Sequence, residues 1–262
     1  MRPDQDRDFP WWLILLVGIG LWLFYQVWAD DAYARVLNTL VKGIWVTIWV
    51  TVVAYSGACV IGLAMAVAGL SRYTVLRQMA RFYVEVMRGI PIIVLLLYVA
   101  FVLAPGLVWA VNWVGGHLGL DPWRTRYFPL IARAVIALML AYSAFLAEVF
   151  RAGLLSVDRG QIEASQALGL SGWQRFRHVV FPQAFRVILP PLGNDFVAMV
   201  KDSSLVSVLG VSDITQLGKV LAAGNFRYFE TYNVVALVYL TMTISLSLVL
   251  RQLEQRLRAK KH

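Results

Sequence analysis

A chain of 262 residues with 60% hydrophobic side chains, 15% charged ones and a mean hydropathy of +0.67 lies well above the apolar share of about 45–50% found in soluble domains, which excludes a soluble globular protein. The net charge of +9 requires no nucleic-acid partner, because Lys and Arg gather between the apolar runs, where they set orientation in a membrane. Cys59 is the sole cysteine, so no disulfide forms within the chain and it reads as a small buried apolar residue.

A hydrocarbon layer of about 30 Å needs roughly 20 apolar residues per crossing. Uncharged runs occur at Trp11–Ala29, 43–71, 89–120 and 231–250. Two less clean runs cover 127–150, with Arg133 and Glu148, and 187–210, with Asp195, Lys201 and Asp202. Barrel strands would alternate over about 10 residues, and these runs do not. Helices satisfy their own backbone in lipid, so the expected fold is all-α: a polytopic membrane protein of about six transmembrane helices. Each charge within a span costs about 2.5–3.5 kcal/mol on insertion scales, so the two charged spans are expected to be central.

The first run is read as a retained helix, although Ala32-Tyr33-Ala34 has the form of a signal cleavage site, because it exceeds the usual 7–15 residues of a signal core. With the amino terminus inside, sixteen Lys and Arg fall in inner segments, including Arg72, Arg77, Arg81 and Arg88 between the second and third runs, against six in outer segments. Both termini are therefore expected on the cytoplasmic side. Residues 105–126, with Trp109, Trp113 and Trp123, are expected to form a short helix lying at the outer interface as part of an aromatic belt.

Catalytic chemistry finds little support. No G-x-x-x-x-G-K-[ST] loop is present, so ATP is not bound in that way. His117, His178 and His262 lack metal-ligand spacing, and no span holds a histidine base beside a nucleophile. A transport subunit, a passive ligand-gated channel and a membrane scaffold remain as readings; dependence on ATP separates the first two.

The longest polar interruption is QIEASQALGLSGWQRFRHVVFPQ, residues 161–183. Residues 163–168 contain no helix breaker, Gly169 permits a left-handed turn, and Ser171 with Gln174 has capping-box spacing. On the second helix Trp173, Phe176 and Val180 share a side, Arg175 and Arg177 point elsewhere, and Pro182 is expected to stop it. Spacing leaves two readings open: a surface offering apolar contacts to a cytoplasmic partner, or an amphipathic loop on the headgroups.

The order Glu163-Ala164-Ser165, Gly169, then Val179-Val180-Phe181-Pro182 nine residues on resembles the EAA loop of ABC importer permeases. MRGIP (87–91), AEVFRAGLLSV (147–157), FPQAFRVILPPLGNDFV (181–197) and KDSSL (201–205) are similar to the polar amino acid branch of that family, and the likeness runs from about residue 43 to the last span. The resemblance implies a type I importer permease bundle in a bacterial inner membrane. It also implies a second permease chain, identical or sister, a cytoplasmic ABC ATPase dimer that holds the ATP and magnesium, a periplasmic substrate-binding protein, and a polar amino acid as cargo, with no cofactor in this chain. Glu163, Ala164, Ser165, Gly169 and Pro182 occupy the coupling positions that the resemblance implies. Ser165 departs from the second alanine, and Val179 and Phe181 from isoleucine and leucine. The expected division is 1–42 for the amino terminus, additional first span and outer linker, 43–250 for the permease core with its coupling loop at about 154–183, and 251–262 for a basic tail.

Pro190, Pro191 and Gly193 lie inside the fifth span, where freed backbone groups need other partners. Asn194 with Lys201, and Asp195 with Asp202, are seven residues apart and share helix faces. These four, with Ser203, are the candidate substrate path or gate, since a zwitterionic cargo needs partners of both signs. The alternative is that the charges neutralise one another or a neighbouring helix. Glu148 and Arg151 read as a structural pair.

Overall fold

The computed structural model describes residues 11–259, and among them every regular element is helical. The first, α1 (Trp11–Ala29), is 19 residues long and uncharged, which at 1.5 Å per residue reaches about 28 Å. Asp30 separates it from the next helix and caps that helix by accepting from Ala32 N at 2.7 Å. The capped helix, α2 (Asp31–Gly69), has 39 residues and begins well before residue 43, so the expected outer linker is helix. Arg35 and Lys42 interrupt the uncharged run yet are good helix formers. Tyr33, Val36 and Leu40 on this extension are buried against Ile214, Val234 and Val235.

The inner segment with four arginines also proves helical, as α3 (Thr74–Gly89). Its mixed composition hid it from a search for apolar runs. Ala80 and Val84 are buried, while Val75, Met79 and Phe82 form an exposed apolar stripe. Arg77, Arg81 and Arg88 lie on a different side, as 100° steps around a helix require.

The third span, α4 (Ile92–His117), corrects the expectation of a separate outer helix: residues 104–117 continue it. A π turn at Val99–Leu103 precedes Pro105, which stands in the first turn of the resumed α-helix, where a missing N–H is tolerated. Gly119, at φ +70°, ends α4, with Leu120 N donating to Gly115 O at 3.0 Å. Trp109, Trp113 and Trp123 remain exposed.

The most enclosed span is α5 (Leu130–Leu155), as its internal charges led one to expect. It packs most extensively on α2. Ala134, Ala137, Ala141 and Ala144 are buried on it, Gly57 of α2 faces Met139, and a side chain at Gly62 would come within 2.9 Å of Ser143 O. Small residues permit this approach where lipid gives helices no hydrophobic reason to associate.

Arg133, 7% exposed, spans from this helix to its neighbours. Its guanidinium donates to Phe128 O at 2.9 Å, Thr125 O at 2.7 Å and Ala100 O at 2.8 Å, the last within the π turn of α4. The charge therefore pins the loop before α5 and an irregular backbone segment of α4. Arg133→Met leaves these acceptors without their donor, and the expected loss is about 3 kcal/mol. A thermal unfolding midpoint in detergent unchanged from wild type would refute this role.

After α5 come α6 (Arg159–Ala167), α7 (Gly172–Leu209), α8 (Ile214–Asn225) and α9 (Tyr228–Ala259). Pro182 does not stop its helix, contrary to expectation. α7 is α-helical over Gly172–Arg175, widens to a π turn at Phe176–Val180 and resumes at Phe181, with Pro182 in the first turn of the resumed segment. Pro190 and Pro191 also lie inside continuous helix. α7 tightens to 3-10 geometry over Ser203–Leu209, ends at Gly210 with φ 75° and meets α8 at a bend of 49°.

Asp213, fully buried, caps α8 by accepting from Gln216 N at 2.8 Å and Thr215 N at 3.2 Å, and accepts from the Tyr239 hydroxyl at 3.1 Å. Among the described residues α2, α4, α5 and α9 are each long and apolar enough to cross a membrane, and α7 with α8 bring the number to five where the bent pair counts as one span, against the six expected.

Candidate functional site

The joint between α5 and α7 is built almost wholly from local capping. Asp158 accepts from Gly160 N at 2.7 Å and starts α6. At the other end Gly169 adopts φ +73°, Gly169 N donates to Gln166 O at 2.9 Å, and Leu170 N reaches Ser165 O at 3.1 Å. This is the two-bond pattern that closes a helix through a left-handed glycine. Ser171 N then donates to Gln174 Oε1 at 2.9 Å, and Gln174 N to Ser171 Oγ at 3.4 Å, so the expected capping box forms and α7 begins.

Glu163, Ala164, Gly169 and Pro182 are exposed on this joint, whereas Ser165 is buried. The Ser165 hydroxyl donates to Ile162 O at 2.6 Å, so a serine is satisfied at this buried position without an outside partner. Trp173 is 70% exposed, its ring stacked on Phe176 at 5.9 Å. An indole this exposed on a helix held by two caps offers a large apolar contact.

Farther along α7 a second polar group assembles. Asp202 accepts from the Tyr142 hydroxyl of α5 at 2.7 Å. The Tyr55 hydroxyl of α2 donates to Leu192 O at 2.6 Å, and its ring meets Phe196 edge-on at 5.0 Å. Asp195, half-buried, lies near enough to both tyrosines to act on them electrostatically. Asn194 and Lys201 are exposed, and no hydrogen bond or ion pair engages the Lys201 side chain among the described residues. Ser203 is buried, with its hydroxyl on Val200 O at 2.7 Å, and so faces inward to its own helix.

The structure thus brings Asp195 and Asp202 together with two tyrosines that sequence reasoning missed, and it does not pair Lys201 with either acid. Tyr55 and Tyr142 carried a signal: a phenol inside an apolar span seeks a partner for its hydroxyl. Nothing local named that partner. Along the same helix, Phe196 and Val200 line a nearly apolar cavity of about 240 Å³ with Thr51 and Met242. No cluster of metal-ligating side chains occurs among the described residues.

Glu148 and Arg151 form the expected pair. Arg151 Nη2 and Nε donate to Glu148 Oε2 at 2.7 and 3.2 Å.

Against known proteins, residues 58–259 match the family described as binding-protein-dependent transport system inner membrane component. The glutamine transport system permease protein GlnP of Escherichia coli (strain K12) is 37% identical over 219 residues, covering 84% of this chain and 93% of that protein. The probable amino-acid permease protein YxeN of Bacillus subtilis (strain 168) is 36% identical over 222 residues, 85% of this chain and 92% of that protein. Among solved structures, an amino acid ABC transporter crystallised with histidines superposes with a TM-score of 0.73 at 33% identity, over 86% of this chain and 97% of that one. The MetNI methionine ABC transporter shares the fold, with a TM-score of 0.61 at 22% identity over 83% of this chain and 95% of that one.

Proposed function

The chain belongs to the binding-protein-dependent transport system inner membrane components, the permeases of ABC importers, and from that premise we propose that it carries a polar amino acid into the cytoplasm. Its relatives bear names of glutamine and other amino acid permeases, which supports that cargo class. In this reading an ATPase dimer docks on the exposed joint around Glu163, Ala164, Gly169 and Trp173. A second permease chain completes the pathway, and a periplasmic binding protein delivers the ligand on the far side. Both termini then face the cytoplasm, with the joint.

The observation that carries the proposal is the continuity of α7. Because Pro182 does not interrupt it, one helix connects the joint to the polar group at Asp195–Asp202. From Gly172 to Asp202 it extends about 45 Å at 1.5 Å per residue. A tilt imposed at Trp173 by the ATPase therefore reaches Asp195, Lys201 and Asp202 without passing through a flexible link, as rocking access around a midplane site requires. Lys201, exposed and without a partner, supplies the positive member of a set whose negative members are Asp195 and Asp202; a zwitterion needs both.

The test is ATP-dependent uptake of labelled amino acids into vesicles holding the chain with its ATPase and binding protein. Lys201→Met and Asp202→Asn are each expected to lower uptake at least tenfold while the complex still assembles. Wild-type uptake kinetics in both variants would remove the substrate-path role, and uptake indifferent to ATP would favour a passive channel.

A further inference from the structure

At the end of the bundle that carries the joint, α2, α3 and α5 leave a cavity of about 390 Å³, within the range of small-molecule sites. Four charged side chains line it: Arg81 and Glu85 from α3, Glu148 and Arg151 from α5. Buried Ala80 and Val84 hold α3 against the bundle, which places the exposed Arg81 and Glu85 on the same cavity as the α5 pair. Arg81 and Glu85 stand one turn apart, yet no ion pair joins them and neither side chain has a hydrogen-bond partner among the described residues. The pair on α5 is itself incomplete. Arg151 uses Nε and Nη2, and Glu148 uses Oε2, which leaves Nη1 and Oε1 without partners among the described residues.

We propose that this cavity is a second binding site, distinct from the polar group on α7, for a free α-amino acid. Two guanidinium groups and two carboxylates facing one concavity sum to zero charge. A simple anion there would also meet Glu85 and Glu148, and a simple cation would meet Arg81 and Arg151. A ligand that carries both signs a few ångströms apart satisfies all four: its carboxylate accepts from Arg81 and Arg151 Nη1, and its ammonium donates to Glu85 and Glu148 Oε1. Charge-assisted bonds of this kind are the strong ones. The rest of the lining, Met65, Leu70 and Ala147 among it, is apolar or small, so the site reads the backbone charges of the ligand more than its side chain. Its place in the transport cycle, at the mouth where cargo leaves, rests on the reading of the chain as an amino acid importer; the recognition chemistry does not.

The experiment is equilibrium binding of L-glutamine to the intact complex of permease and ATPase in nanodiscs, without binding protein. L-glutaminamide, which lacks the carboxylate, and N-acetyl-L-glutamine, which lacks the ammonium, serve as comparisons. The expected result is saturable glutamine binding that falls at least tenfold on loss of either ligand charge and in Arg81→Met and Glu85→Gln, but persists in Lys42→Met, which removes an exposed charge that lines neither site. Absence of saturable binding, equal binding of either single-charge analogue, or indifference to both α3 variants overturns the proposal. ATP-driven uptake on the same preparation separates the two readings: uptake without this binding refutes the cavity alone, and charge-selective binding without any uptake refutes the importer reading alone.

Discussion

Replacing Gly169 with proline is expected to abolish ATP-driven uptake, by at least a hundredfold, while the membrane bundle stays folded. The residue sits at φ +73°, and proline holds φ near −65°. Proline also removes the N–H that donates to Gln166 O. The turn that joins α6 to α7 then cannot form, and Trp173 is presented at a different angle. Nothing lies within 4 Å of a side chain added at this position, so crowding is not the cause, and Gly169→Ala separates the effects. Alanine in left-handed geometry costs only about 1–2 kcal/mol, so this variant should retain partial uptake. Co-purification of the ATPase and uptake into vesicles check both variants. Undiminished transport in Gly169→Pro would mean that the joint does not couple.

The second large effect is expected at Gly43, where the failure would be of folding. A Cβ there would stand 2.6 Å from Ile214 N and 2.7 Å from Asp213 C, and these are backbone atoms at the cap of α8 with little freedom to move. Thr47, one turn along α2, accepts from the same Ile214 N at 3.5 Å. Gly43→Ala should therefore push α8 off α2 and disturb the buried Asp213 cap, at about 3 kcal/mol, the upper end of ordinary overpacking. Gly224→Ala, in the same helix α8 and with open space around it, is predicted to have the opposite sign, a gain of up to about 1 kcal/mol from helix propensity. Thermal unfolding of the two purified variants decides the matter. Equal midpoints would show that the close approach of α2 and α8 does not matter to stability.

These two sites differ in how visible they were. Gly169 followed from its neighbours: a polar helix before it, a capping box after it and a need for a left-handed residue between them. Gly43 gave no such sign, because it is one glycine among many in an apolar run, and its constraint comes from a backbone 170 residues away. The same division separates Ser171–Gln174, whose bonds span three residues, from Tyr142–Asp202, which meet across 60. α3 escaped notice for a different reason. Its apolar residues are divided between a face packed on the bundle and a free stripe, with arginines between, so no window of it reads as a span.

Properties that add up along a segment were thus readable from composition and spacing. Charge-free length marked the long apolar helices and short-range caps outlined the joint, because each depends on residues near one another in the chain. Where the decisive energy comes from distant neighbours, the order of residues was silent. Whether Pro182 ended a helix depended on a π turn ahead of it. Whether Arg133 was a pathway charge or a clamp depended on three carbonyls, one of them on another span, and whether Asp202 paired with Lys201 or with a tyrosine depended on how α7 lies against α5. Burial makes each of those partners obligatory without naming it, and only the packed bundle supplies the name.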